Sequence, residues 1–233
     1  MRKWFLIMLD GTFGVILRSI MYQIVRPFIA YKYPVTIDGG EAALSCKESG
    51  GIVIANHHSM EDGPLLTALA WPYARLRPTA KYSQYMRMHF RWAMVLFGVI
   101  RLGSPRSWQP ERREAEKQLG LEVMDKVLKN GHLLLVFCAG KISEDGREVI
   151  DPRFSGIYTM IKTHPDKPVL LVKHHGLHES HRDGGLLTRV PVHIQITRVD
   201  NVSLEGGPEG LNKRLEQFFN DDVPLLAGAA KAA

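Results

Sequence analysis

Gly51 to Leu66, GIVIANHHSMEDGPLL, is the stretch on which the reading of the whole chain turns. Ile52-Val53-Ile54-Ala55 is a short apolar run with the character of a buried strand. It delivers Asn56-His57-His58 into a turn, and Ser59 is placed to cap a helix starting at about Met60. Polar residues launched from strand ends are where α/β proteins tend to keep their chemistry. His57 and Asp62 stand five positions apart, about 500° on a regular helix, which would leave them about 140° out of line. They converge only if His57 lies on the turn while Asp62 sits in the first turn of the helix, as the Ser59 cap predicts. Asp62 can then hold the imidazole ring and its tautomer. Spacing alone also admits a plainer arrangement, with Ser59 and Asp62 as a capping pair and His57 a satisfied loop histidine.

The chain has 233 residues, enough for one substantial domain. Its net charge of +6 suggests an anionic partner: a membrane surface, a nucleic acid or a phosphorylated substrate. RNA-binding signatures, zinc-finger spacing and basic-aromatic strand patterns are all missing, which sets nucleic acid aside. Two cysteines, Cys46 and Cys138, suggest no disulfide framework and fit a reducing compartment.

Residues 2 to 30 are the most membrane-like part of the sequence. Asp10, Arg18 and Arg26 interrupt the apolar runs before any reaches the roughly 20 residues needed to span a bilayer. No small-residue cleavage site follows a hydrophobic core, so a signal peptide is not indicated. The pattern predicts two short amphipathic helices, split near Asp10-Gly11 and ended at Pro27. Trp4, Phe5, Phe13, Tyr22 and Phe28, with basic residues between them, suit a helix lying in a membrane interface. A core-packing helical pair and a single tilted span are the other readings of the same residues.

Tyr33 to Asp38 alternates as a short strand ended by Gly39-Gly40, and Glu41 to Glu48 is helix or loop. Pro64 to Trp71 reads as a short apolar helix stopped by Pro72. Met86, Met88, Phe90, Trp92, Met94, Leu96 and Phe97 are too many apolar groups for one helical face, and either pack the core or line a tail-binding or membrane surface. Glu111 to Lys129 is a helix with an apolar stripe of Ala115, Leu119, Val123, Val127 and Leu128, stopped by Asn130-Gly131. His132 to Phe137 is a buried strand, residues 154 to about 162 lead through a helix, and Lys167 to Val172 is a further strand. Arg189 to Thr197 alternates as a strand and Leu211 to Phe219 is a short helix. His174, His175, His178 and His181, with Asp183, make metal binding conceivable, but Gly176 and its polar surroundings read as a loop and no metal is expected.

Asn56-His57-His58-Ser59-Met60-Glu61-Asp62 resembles the first signature block of the PlsC-like (1-acylglycerol-3-phosphate, or glycerolipid) acyltransferase superfamily, Asn-His-x4-Asp after a hydrophobic strand, and Ser59 and Leu66 also fall on its pattern. Further blocks follow in order. Lys81 resembles the Ala-Lys that precedes the second block. Gly98 opens a block similar to Gly-x5-Arg, although Ser104 holds the sixth place, with Arg101 and Arg106 on either side. Phe137-Cys138-Ala139-Gly140-Lys141-Ile142-Ser143 resembles the third block, Phe-Pro-Glu-Gly-Thr-Arg-Ser, with matches at Phe137, Gly140 and Ser143. Cys138, Ala139, Lys141 and Ile142 replace its proline, glutamate, threonine and arginine. The glutamate and arginine of the family are tied to a phosphorylated glycerol acceptor, so their loss loosens that assignment, and Lys141 still supplies one positive charge. Lys167 to Val172 is similar to the fourth block, an apolar segment containing Pro-Val.

The alternation of strands and helices predicts a single α/β domain with a central, mostly mixed β-sheet flanked by helices. Residues 1–32 form the N-terminal amphipathic helical pair and membrane-docking segment, 33–222 the α/β domain and 223–233 a frayed tail. The resemblance spans roughly residues 50 to 175 and implies a fatty acyl transferase acting at the cytoplasmic face of a membrane, peripheral or monotopic. It implies an acyl thioester donor (acyl-coenzyme A or acyl carrier protein), a lipid acceptor such as a lysophospholipid, and no cofactor. His57 would be the general base and Asp62 its orienting partner, with His58 a weaker alternative. Asn56, Ser59, Lys81, Arg101, Arg106, Gly140 and Lys141 are the expected substrate-binding residues, the arginines by pairing with phosphate. An acceptor without glycerol phosphate, or a catalytically silent lipid-binding relative, fits the altered third block; a hydrolase would need a Gly-x-Ser-x-Gly elbow that the chain does not have.

Overall fold

The computed structural model describes residues 12–71, 74–81, 94, 97–103, 108–143, 146–152, 154–177 and 189–221. Seven strands form one sheet: β1 (Val35–Asp38), β2 (Gly51–Ala55), β3 (Leu76–Lys81), β4 (Ile100–Leu102), β5 (Leu133–Phe137), β6 (Val169–His175) and β7 (Val192–Val199). Their order across the sheet is β1-β7-β6-β2-β5-β3-β4. β2 lies between β5 and β6, parallel to both, with Ile54 level with Val136 and Leu171. β7 runs antiparallel to β6, which makes the sheet mixed, as expected. Helices cover both faces of the central sheet, so β2 and β5 have no solvent face and are apolar at every position.

Alternate residues of the central strands serve two cores. Val53, Ala55, Leu135, Phe137 and Val172 face helices α1 (Thr12–Lys32) and α3 (Asp62–Ala70). Ile52, Ile54, Leu134, Val136 and Leu171 face α4 (Pro110–Lys129), α5 (Gly156–Thr163) and α6 (Gly207–Asp221). A short α2 (Gly40–Leu44) follows β1.

Several local expectations are corrected. The N-terminal region does not end its helix at Pro27; α1 runs through it to Lys32. Pro27 removes the partner of the Gln23 carbonyl, but both residues are exposed, so water can serve that carbonyl. Beyond it, Ile29 and Tyr33 are anchored in the core and Tyr33 N–H donates to the Ile29 carbonyl at 2.7 Å. The proposed helix before Asp10 lies outside the described residues. On α4 the buried face is Gly120, Met124, Val127 and Leu128, while Leu119 and Ala115 of the expected stripe are exposed. β3 and β4 had no counterpart in the pattern: β4 is three residues long and β3 contains Pro78, a breaker that is tolerated because β4 pairs only from Thr79 onward. No described helix is long and apolar enough to cross a membrane.

Candidate active site

The C-terminal ends of β2, β5 and β6 open onto one point, the usual location of chemistry in parallel sheets. The residues after β2 form an extended turn rather than helix, and α3 starts at Asp62, two residues later than the sequence suggested. Ser59 does not cap α3 with its side chain; its Oγ accepts the Glu61 N–H at 3.1 Å and tightens the turn.

This turn brings His57 and Asp62 together. His57 Nδ1 lies 3.0 Å from Asp62 Oδ2. A carboxylate accepts, so Nδ1 carries the hydrogen and Nε2 keeps a lone pair. The same Oδ2 accepts the backbone N–H groups of His58 at 2.7 Å and Ser59 at 2.9 Å. Asp62 is fully buried at the N-terminus of α3, where the helix dipole favours its charge. Phe137 at the end of β5 stacks on the His57 ring, centroids 4.1 Å apart, and fixes its plane.

Two further buried residues complete the cluster, and the sequence did not identify either as part of it. His174, read as loop, sits on β6 with its side chain inaccessible. Its Nε2 is 3.0 Å from the Asn56 carbonyl oxygen and 3.5 Å from Asp62 Oδ2. Both neighbours accept, so Nε2 holds the hydrogen. Burial holds the His174 imidazole below its ordinary value, against the pull of Asp62. Glu148 is the second; its Oε1 accepts the His57 backbone N–H at 2.7 Å. Burial pushes its carboxyl up, and pushes the neighbouring Cys138 thiol well up. A polar residue at the end of a parallel strand was the available signal for His174. No spacing rule pointed to Glu148.

The remaining expected residues are distributed as follows. Asn56 joins β2 to β6: its Nδ2 donates to the His174 carbonyl at 2.8 Å and its Oδ1 accepts the His174 N–H at 3.0 Å. His58 is buried, with its Nε2 3.6 Å from Glu148 Oε1. Lys81, at the end of β3, lies against Gly140, whose positive φ of 59° makes the turn after β5. The Gly140 N–H is already given to the Phe137 carbonyl at 3.1 Å. Lys141 is exposed on that turn. Arg101 is ion-paired with Glu116 of α4. Arg106, His178, His181 and Asp183 lie outside the described residues, as does most of the stretch from Met86 to Leu96. Among the described residues no group of His, Cys, Asp and Glu is arranged to hold a metal ion.

Beside His57 opens an apolar cavity of about 290 Å³. Met60, Pro64, Thr79, Phe97 and Phe137 line it, and Tyr22 of α1 walls it off. Tyr22 is stacked on Trp71 and tilted against Phe97, with centroids 4.8 and 5.3 Å away.

A His–Asp pair at the carboxyl edge of a mixed sheet, beside an apolar cavity, gives this α/β protein an arrangement chemically capable of proton transfer. The family model described as Acyltransferase matches residues 35–172, and the chain belongs to that acyltransferase family. It is therefore an acyltransferase enzyme. Among solved structures it is similar to the crystal structure of the 1-acyl-sn-glycerophosphate (LPA) acyltransferase PlsC from Thermotoga maritima. The TM-score is 0.58 at 22% identity, over 93% of this chain and 79% of that one, a likeness of fold. No curated protein matches the chain.

Proposed function

We propose that the chain moves a fatty acyl group from an acyl thioester, carried by coenzyme A or acyl carrier protein, to a hydroxyl of a lysophospholipid-like acceptor. One observation carries this reading: the His57 Nδ1–Asp62 Oδ2 pair at 3.0 Å beside the apolar cavity. His57 takes the acceptor proton on Nε2 as the acceptor oxygen bonds to the thioester carbonyl carbon. The carbon–sulfur bond then breaks, and the leaving thiolate receives the proton. Asp62 keeps the ring in the required tautomer and stabilises the imidazolium between the two steps. The acceptor is itself the nucleophile, so no acyl-enzyme forms. No cofactor is required.

The acyl chain fits the cavity by its apolar lining, and Lys81, Arg106 and Lys141 are assigned to the polar end of the substrates. Arg101 is a weaker candidate for that task because of its pairing with Glu116. Asn56, Ser59 and Gly140 act by shaping the site, since their polar groups are bonded internally. Ile16, Ile20, Ile24, Phe28 and Tyr31 form an exposed apolar stripe on α1, which supports docking on a membrane surface, and the proposal places the protein, peripheral or monotopic, on the cytoplasmic face. A second reading, the same chemistry on an acceptor without glycerol phosphate, is favoured by Ala139 and Ile142 in the third block.

The deciding experiment is thiol release from palmitoyl-coenzyme A and palmitoyl-acyl carrier protein against a panel of acceptors, with His57→Ala as control. Release that needs one acceptor and disappears in the variant is expected. Acceptor-independent release would replace transfer by thioester hydrolysis.

A further inference from the structure

Glu148 lies on the loop between β5 and α5 and is 2% exposed. Burying a carboxylate costs several kcal/mol unless its oxygens are well paired, and here the partners surround the candidate base. Oε1 accepts the His57 N–H at 2.7 Å and lies 3.6 Å from His58 Nε2, while Oε2 accepts the Cys138 thiol at 3.3 Å. Asn220 of α6 clamps the Glu148 main chain, accepting its N–H and donating to its carbonyl, each at 2.9 Å. The same loop reaches the other side of His57, where Ser143 N–H donates to the His57 carbonyl at 2.7 Å. Both main-chain polar groups of His57 are therefore held by one loop. Ala139 meanwhile occupies the place where the third block resembles a glutamate-bearing motif.

We propose that Glu148 is a positioning residue for the reaction: its carboxylate fixes the His57 main chain and supplies a second negative charge, beside Asp62, that favours the imidazolium formed when the acceptor loses its proton. This rests on His57 being the base. Burial raises the Glu148 carboxyl, and a charge on His57 works against that rise. Among the described residues the other ionisable groups of the cluster are Asp62 on α3 beside His57, His58 on the turn and Cys138 after β5 against Glu148, and His174 on β6 against Asp62.

The test compares kcat, KM and the pH profile of kcat/KM for wild type, Glu148→Gln, Glu148→Asp and His57→Ala, by thiol release with whichever acceptor of that panel supports release by wild type. Thermal unfolding by circular dichroism monitors the fold. Gln keeps an oxygen for the His57 N–H but removes the charge. It is expected to lower kcat about 10-fold with both KM values within about twofold, and to move the acidic limb to lower pH. Asp keeps the charge with shorter reach, so its kcat falls while its acidic limb stays with wild type. Wild-type kcat and limb in Glu148→Gln, with His57→Ala inactive, would overturn the Glu148 proposal and leave the base assignment standing. An active His57→Ala would remove the base and this proposal together. If Glu148→Gln does not fold, Glu148→Asp decides alone, and a displaced limb in it would overturn the proposal.

Discussion

At the scale of single residues, Asp62 Oδ2 is the most heavily used atom of the site, accepting from His57 Nδ1 and from two backbone N–H groups. Asp62→Asn keeps the shape but sets an amide that can donate against a ring nitrogen that also donates, unless the ring changes tautomer. Loss of the orienting carboxylate in such pairs costs up to about 10⁴ in rate, so kcat is expected to fall by at least about 10² with little change in KM. Steady-state kinetics at saturating donor checks this; a variant within a factor of a few of wild type would remove Asp62 from the mechanism. His174 makes a separate prediction about stability. Its folded value is depressed by burial, so the fold prefers the neutral ring. The corresponding stability is present above the ordinary value of about 6.5 and is lost as pH falls through the depressed one. Wild type should lose stability relative to His174→Asn on going from pH 7.5 to 5, by up to about 1.4 kcal/mol for each unit of depression. Glu148 acts in the opposite sense, since its raised carboxyl favours the fold as pH falls. The comparison therefore has to be made between variant and wild type in urea titrations at each pH, where the Glu148 contribution is common to both.

At the scale of elements, the packing of α1 shows how one helix serves two surfaces. Tyr22 and Ile29 point into the core shared with β2 and α3, and Ile20 and Ile24 on the other face remain exposed. Tyr22 is 2% exposed and stacks on Trp71, so Tyr22→Ala opens a large void between α1 and α3. The expected cost is about 3–5 kcal/mol, or roughly 10 °C in Tm, measurable by differential scanning calorimetry. At the end of β6, Gly176 has φ of 102°, and a Cβ there would overlap the Pro191 carbonyl. Gly176→Ala should therefore destabilise by more than about 1 kcal/mol, and an unchanged Tm would contradict this strain. The elements most legible in the sequence were those whose burial is uniform. β2 and β5 are apolar at every position because neighbours cover both faces, and a run such as HLLLVF leaves little alternative. β3 was hidden by Pro78 and β4 by its three-residue length, since neither shows a period. The His57–Asp62 meeting was legible because both residues belong to one turn, whose geometry is local. Glu148 and His174 are 91 and 112 positions away from their partners His57 and Asp62, and only the sheet order brings them in.

At the scale of the whole molecule, the apolar cavity and the exposed apolar stripe share α1, with Tyr22 facing one and Ile20 and Ile24 the other. A chain with both features on one helix can take a lipid substrate from a surface without first moving it through water. In the proposed docking on a membrane, the net charge of +6 would add a long-range attraction to anionic lipid, whereas insertion of the stripe would depend on buried apolar area. These two contributions respond differently to salt. Charge attraction is screened with a Debye length of about 10 Å at 0.1 M and about 3 Å at 1 M, while apolar insertion is not weakened by screening. Co-sedimentation with vesicles of mixed neutral and anionic phospholipid should therefore fall as NaCl rises from 0.1 to 1 M, but to a plateau above zero. Ile20→Glu/Ile24→Glu should abolish that plateau and leave only the screened component at low salt, with Tm close to wild type because both side chains are more than half exposed. Thiol release from a soluble short-chain donor to a soluble acceptor should survive in this variant, while transfer to an acceptor embedded in vesicles should fall in proportion to binding. If the variant sedimented like wild type at 1 M NaCl, the stripe would not be the docking surface, and the exposed face of α1 would need another occupant.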